Sequence, residues 1–117
     1  MSELALYGIP NCDTVRKARR ALDAAGVSYR FVDVRKDGIE EAQLRGWVDR
    51  LGWETLVNRR GTTWRQLPEG QRAGLDAERA IALMGEHPAL IKRPVIEFEG
   101  AVYVGWNTEN ASRLGAA

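Results

Sequence analysis

Two rhythms of apolar residues run along this chain, and together they outline its elements. Leu4 to Tyr7 is an almost continuous apolar run, as expected of a strand covered on both faces, and it ends at Gly8. From Asp13 to Ala25 the apolar positions Val15, Ala18, Leu22 and Ala25 recur at steps of three and four, with Arg16, Lys17, Arg19, Arg20 and Asp23 elsewhere around the wheel. That spacing predicts an amphipathic helix, with Gly26 as its stop. Tyr29 to Val34 is rich in aromatic and β-branched residues and reads as a second strand, so the first three elements form a βαβ unit with parallel strands.

The middle of the chain reads as helical. Leu44, Trp47, Val48 and Leu51 repeat at i, i+3, i+4 and i+7 after Asp37-Gly38, and Gly52 closes the segment. Val57 to Gln66 reads as a polar loop, Glu69 to Gly74 as a short turn of helix, and Asp76 as the N-cap of a helix through Ala77, Ala80, Ile81 and Met84 that ends at His87-Pro88. Pro94 to Phe98 and Val102 to Val104 bracket Glu99-Gly100-Ala101, a hairpin signal, and Asn107 to Leu114 reads as a closing helix. The order βαβ, helical segment, hairpin and helix predicts an α/β thioredoxin-like fold. Its expected sheet is four-stranded and mixed, in the order β2-β1-β3-β4, with helices on both faces and a helical insertion at about residues 39–88 of a single domain over residues 1–117. No repeat, low-complexity stretch or linker divides it.

Composition narrows the function. Seventeen basic and sixteen acidic residues leave a formal net charge of +1, which suggests no general affinity for nucleic acid or membrane. The start Met-Ser-Glu-Leu-Ala lacks the pattern of a secretory leader, and no apolar run approaches the roughly 20 residues that span a bilayer, so a cytoplasmic protein is expected. One Cys and one His cannot supply a zinc site, so no metal is expected. No extra apolar stripe is evident, and monomer is the expected state.

The single cysteine, Cys12, sits between the first strand and the basic helix, after the turn Gly8-Ile9-Pro10-Asn11. A solitary thiol is often a small buried hydrophobe. At this junction, however, a helix N-terminus and nearby cations favour the thiolate, and Cys12 is a candidate nucleophile. Trp47 and Trp53 fit a helix-packing role, and Trp64 reads as structural although it sits in the Gly61-Thr62-Thr63 segment. His87 reads as a helix cap rather than a base, and the cluster Arg16, Lys17, Arg19, Arg20 as a solvated face in which only Arg16, one turn beyond Cys12, has a claim on the site.

Four segments carry a resemblance: Tyr7-Gly8-Ile9-x-Asn11-Cys12-Asp13-Thr14, Gly52-Trp53-Glu54, Asn58-x-x-Gly61-Thr62-Thr63-Trp64-Arg65 and Ile91-Lys92-Arg93-Pro94. Together they resemble the ArsC/Spx family of the thioredoxin superfamily, most closely its YffB-like branch. The resemblance implies that Cys12 is the catalytic nucleophile, opening a mixed-disulfide cycle with glutathione as thiol co-substrate, glutaredoxin as a further partner and no bound cofactor. It implies that Asn11, Asp13, Thr14, Arg16, Arg60, Arg93 and Pro94 bind substrate or glutathione, with Pro94 matching the superfamily's cis-proline. A guanidinium suits such a site because it holds a carboxylate or oxyanion through two parallel hydrogen bonds.

Two departures select among the family's activities. Spx-like regulators carry a Cys-x-x-Cys switch, whereas Val15 stands at the second position here. Arsenate reductases carry a further arginine in the region that here reads Gly105-Trp106-Asn107. The expected activity is therefore that of a glutathione-dependent thiol-disulfide oxidoreductase, with an RNA polymerase-binding regulator and an arsenate reductase as the alternatives.

Overall fold

The computed structural model describes residues 3–117; Met1 and Ser2, the first residues of the segment read for a leader, lie outside the described residues. In chain order the elements are β1 Leu4–Gly8, α1 Asp13–Ala24, β2 Tyr29–Asp33, α2 Val34–Asp37, α3 Glu41–Leu51, α4 Trp53–Leu56, α5 Thr62–Gln66, α6 Glu69–Arg72, α7 Ala77–Glu86, a 3-10 turn Pro88–Leu90, β3 Val95–Phe98, β4 Ala101–Val104 and α8 Thr108–Arg113. They cluster into two compact units, one running to Asp37 and resuming at Arg93–Ala117, the other spanning Gly38–Lys92. Among the described residues no helix is long and apolar enough to cross a membrane.

The first unit is built on a four-stranded sheet in the order β2-β1-β3-β4. β1 pairs parallel with β2 and antiparallel with β3, and β3 pairs antiparallel with β4. All five residues of β1 are buried, which is why its sequence shows no polar alternation. On one face Leu4, Leu6 and Ile96 pack with Val15, Ala18 and Leu22 of α1 and with Leu114 after α8. Ala25, grouped with that stripe in the sequence, is instead the exposed C-cap of α1: the chain turns there, with Gly26 at φ +72 and Val27 N–H donating to Leu22 O at 2.9 Å.

Local chemistry explains the remaining ends. Asp33 Oδ1 accepts from the N–H groups of Arg35 and Lys36 and so opens α2, a single turn the hydrophobic pattern is too short to reveal. Glu99 (φ 51) and Gly100 (φ 80) form the two-residue hairpin between β3 and β4, whose twist calls for left-handed backbone at both central positions. Asn107 caps α8 by accepting from Asn110 N–H at 2.8 Å.

In the second unit α3 buries Leu44, Trp47 and Val48, and α7 buries Ala80, Ile81, Leu83 and Met84. Arg45 of α3 donates to both carboxylate oxygens of Glu78 of α7, at 2.5 and 3.1 Å, and this holds the Glu78 carboxyl below its ordinary range. Asp76 caps α7, as its sequence suggests, by accepting from Arg79 N–H. The segment read as a polar loop over residues 57–66 is more ordered than its composition implies. Val57 is buried in an antiparallel bridge with Ile91, and Thr62–Gln66 is helical. The short helix hides in the sequence because none of its own residues is buried, so it carries no apolar period. Trp47 lies in the core as expected, whereas Trp53 is only partly buried, with the Arg59 guanidinium 5.2 Å from its ring centroid.

Candidate active site around Cys12

The end of β1 meets the start of α1 at Gly8. A Cβ built at Gly8 would lie 2.7 Å from Val15 Cγ2, and Val15 is fully buried. Only glycine permits this approach, which draws the first turn of α1 against the strand. Cys12 follows as the N-cap of α1 in extended backbone (φ −89, ψ 126), its N–H donating to Ile9 O at 3.1 Å and its carbonyl accepting from Arg16 N–H at 2.9 Å.

The thiol itself is partly buried. It forms no conventional cap hydrogen bond, yet its electrostatics are those of a helix N-terminus. Burial pushes the Cys12 pKa up. The Val15 N–H, the hydrogen bond and charge of the Arg93 guanidinium, and the Thr14 N–H pull it down, and together they prevail, leaving the thiol below its ordinary value.

The expected site residues separate into groups. Arg93 reaches Cys12, and the Arg93-Pro94 bond is cis, with the carbonyl of buried Pro94 accepting from Gly105 N–H at 2.8 Å. Thr14 contributes its backbone N–H, while Asn11 is exposed. Arg16 does not act on the thiol: its exposed guanidinium pairs with Asp13, its neighbour one turn back on α1. Arg19, grouped with the solvated face, instead lies 4.2 Å from the Phe31 ring centroid and donates from Nε to the Tyr29 hydroxyl at 3.0 Å. Arg60 belongs to the second unit, exposed, with its N–H donating to Asn58 Oδ1 at 3.1 Å.

Two contributions are not visible in the sequence pattern. Gly8 is legible there only as the end of a strand, because the Val15 methyl groups that forbid a side chain come from the next element. Asn110 donates from Nδ2 to the carbonyls of Val104 and Gly105, fixing the segment whose Gly105 N–H bonds to Pro94 O. Its only signal is an amide three residues after a cap.

A lone thiol at the N-cap of the first helix, beside an arginine and a cis-proline that open a β-hairpin, is the setting in which the family comparison is decisive. The model of the ArsC family matches residues 7–114. The chain belongs to the ArsC family. Among solved ArsC-like structures, a YffB protein is 45% identical, superposes with a TM-score of 0.92 and covers 97% of this chain and 99% of its own. An arsenate reductase (ArsC) related protein from Brucella melitensis is 40% identical with a TM-score of 0.77, covering 95% of this chain and 92% of its own. An uncharacterized protein of Haemophilus influenzae is 40% identical over 104 residues, 89% of this chain and 91% of that protein. More distant relatives include the global transcriptional regulator Spx of Bacillus subtilis and an arsenate reductase of Neisseria meningitidis, at 25% and 23% identity. The fold is thus the thioredoxin-like one expected, in its ArsC form.

Proposed function

We propose that this ArsC-family chain is a glutathione-dependent thiol-disulfide oxidoreductase in which Cys12 is the sole nucleophile, working as a cytoplasmic monomer with no bound cofactor. The observation that carries the reading is the partly buried Cys12 thiol at the N-cap of α1 with the Arg93 guanidinium hydrogen-bonded to it, in a chain with no second cysteine. Cys12 thiolate attacks the glutathione sulfur of a mixed disulfide, forming Cys12–S–S–glutathione and releasing the substrate as thiolate. A second glutathione thiolate attacks the Cys12-bound glutathione sulfur, yielding glutathione disulfide and regenerating Cys12 thiolate. The disulfide substrate gains two electrons and two glutathione sulfurs end as one disulfide. An external thiol is required because Val15 occupies the position where a resolving cysteine would stand.

Arg93 would stabilise both attacking and leaving thiolates, and cis-Pro94 would present the adjoining backbone to the incoming peptide. Asn11, Asp13, Thr14, Arg16 and Arg60 would complete the binding surface, and glutaredoxin would serve where free glutathione cannot reach the mixed disulfide. Arsenate reduction is the weaker reading, since Gly105-Trp106-Asn107 supplies no third arginine for the oxyanion. A regulatory role like that of Spx would leave Cys12 dispensable.

Intact-mass analysis after exposure to glutathione disulfide tests the reading directly. One glutathione should add to the wild type and none to Cys12→Ser, and reduced glutathione should remove it with turnover of a glutathionylated substrate. Full turnover by Cys12→Ser, or a stable adduct that glutathione cannot resolve, would overturn it.

A further inference from the structure

Toward the end of α1 remote from Cys12, an open cavity of about 650 Å³ lies between the helix and β2. Arg19 and Asp23 line it from α1, Val27 from the turn, and Tyr29 and Phe31 from β2, all of them residues of the first unit. Its volume falls in the range of small-molecule sites, roughly 300–1,000 Å³. At a rise of 1.5 Å per residue, Asp23 stands roughly 16 Å along the helix from Cys12, so the cavity is separate from the thiol.

Arg19 is held in place from two sides. Its guanidinium lies 4.2 Å from the Phe31 ring centroid, and its Nε donates to the Tyr29 hydroxyl at 3.0 Å. Its two Nη groups have no hydrogen-bond or ion-pair partner among the described residues, and even Asp23, four residues further along the helix, does not pair with it. The Tyr29 hydroxyl, accepting from Arg19, keeps its own proton for another acceptor. An oriented guanidinium edge beside a free O–H suits a carboxylate.

The Asp23 side of the cavity has the opposite sign. Asp23 stands in the last turn of α1, which carries no basic residue, so its carboxylate adds to the negative end of the helix dipole. No ion pair among the described residues offsets it, and a cation there would be favoured by both charges. Residues four apart on one helix face are about 5–6 Å apart at Cβ, so the two unpaired charges face a ligand across a short gap. A lone oxyanion would be repelled by Asp23 and a lone amine by Arg19. An ammonium and a carboxylate on one carbon satisfy both, and a peptide does not carry them so close together.

We propose that this cavity binds a free α-amino acid with an apolar side chain, its carboxylate on Arg19 and Tyr29 and its ammonium on Asp23. Val27 and Phe31 are only partly buried and leave apolar surface for the side chain. The site uses neither Cys12 nor glutathione, so it stands or falls independently of the reductase.

Calorimetric titration of the full chain with L-phenylalanine, with amide chemical shifts recorded in parallel, tests this. Phenylalanine should bind saturably and shift the amides of Val27, Tyr29 and Phe31. N-acetyl-L-phenylalanine, which lacks the ammonium, and L-phenylalaninamide, which lacks the carboxylate, should each bind about tenfold or more weakly, the scale of one charge-assisted hydrogen bond. Asp23→Asn should weaken phenylalanine by a similar factor and leave its N-acetyl derivative unchanged. Arg19→Lys, which keeps the charge but loses the fork, should weaken phenylalanine and the N-acetyl derivative alike. Asp23 is exposed, so Asp23→Asn reports on the cavity even where Arg19→Lys fails to fold. Absence of saturable binding, equal binding of phenylalanine and either derivative, wild-type affinity in Asp23→Asn, or shifts centred on Cys12 instead of Tyr29 and Phe31 would overturn the assignment.

Discussion

Arg16 and Arg93 show how little sequence proximity says about which charge a thiol feels. Arg16 is one helical turn from Cys12, yet its guanidinium is drawn to the Asp13 carboxylate, while Arg93, from the far end of the chain, supplies both hydrogen bond and charge to the sulfur. Removing Arg93 as Arg93→Ala should leave burial opposed only by the Val15 and Thr14 N–H groups, so the Cys12 pKa should rise. Iodoacetamide alkylation against pH measures it. In the wild type the midpoint of the rate profile should lie below that of an ordinary thiol, and the rate should fall as pH drops through it. Arg93→Ala should move that midpoint upward and Arg16→Ala should barely move it; the opposite pattern would return the site to Arg16.

At the scale of elements, the contact between β1 and α1 carries the site. Gly8→Ala places a methyl group 2.7 Å from Val15 Cγ2, so the first turn of α1 must shift. A destabilisation of about 1–3 kcal/mol, the usual cost of overpacking, is expected in urea unfolding. The Cys12 midpoint should rise with it, because the Val15 and Thr14 N–H groups move with the helix. A destabilised Gly8→Ala protein with an unchanged thiol profile would show that α1 does not set the pKa. The hairpin offers the converse case. Glu99 holds left-handed backbone at φ 51, so Glu99→Gly should raise stability by up to about 1 kcal/mol, seen as a higher unfolding midpoint.

These elements are largely legible in the sequence. The stripe Val15, Ala18, Leu22 and the stripe Leu44, Trp47, Val48 each bury one helix face, and Asp76 and Asn107 announce their helices by their capping oxygens. Thr62–Gln66 and Val34–Asp37 are not, since a single turn is too short to show a period.

For the whole molecule, the lowered Cys12 pKa is also a statement about folding. The folded state binds the thiol proton more weakly than the unfolded chain, so the thiolate stabilises the fold fully above the unfolded thiol pKa of about 8.5, and this contribution is lost as pH falls through the folded value. The stability gap between wild type and Cys12→Ser should therefore widen as pH rises across that window, in urea titrations at a series of pH values. A gap that stays flat would mean that the thiol titrates alike in both states.

Sequence alone determined the features set by local order: the strands and longer helices, the caps, the order of the sheet, and a single thiol placed at a helix start. Only the tertiary structure decided which cation reaches that thiol, why residue 8 must be glycine, and how Trp53 and Trp64 come to flank Arg59. Periodicity and capping act between neighbours a few residues apart and leave their mark in the sequence. A guanidinium at a sulfur or a methyl group against a backbone depends on where distant segments converge, and on which nearer partner, such as Asp13 for Arg16, has already claimed a charge.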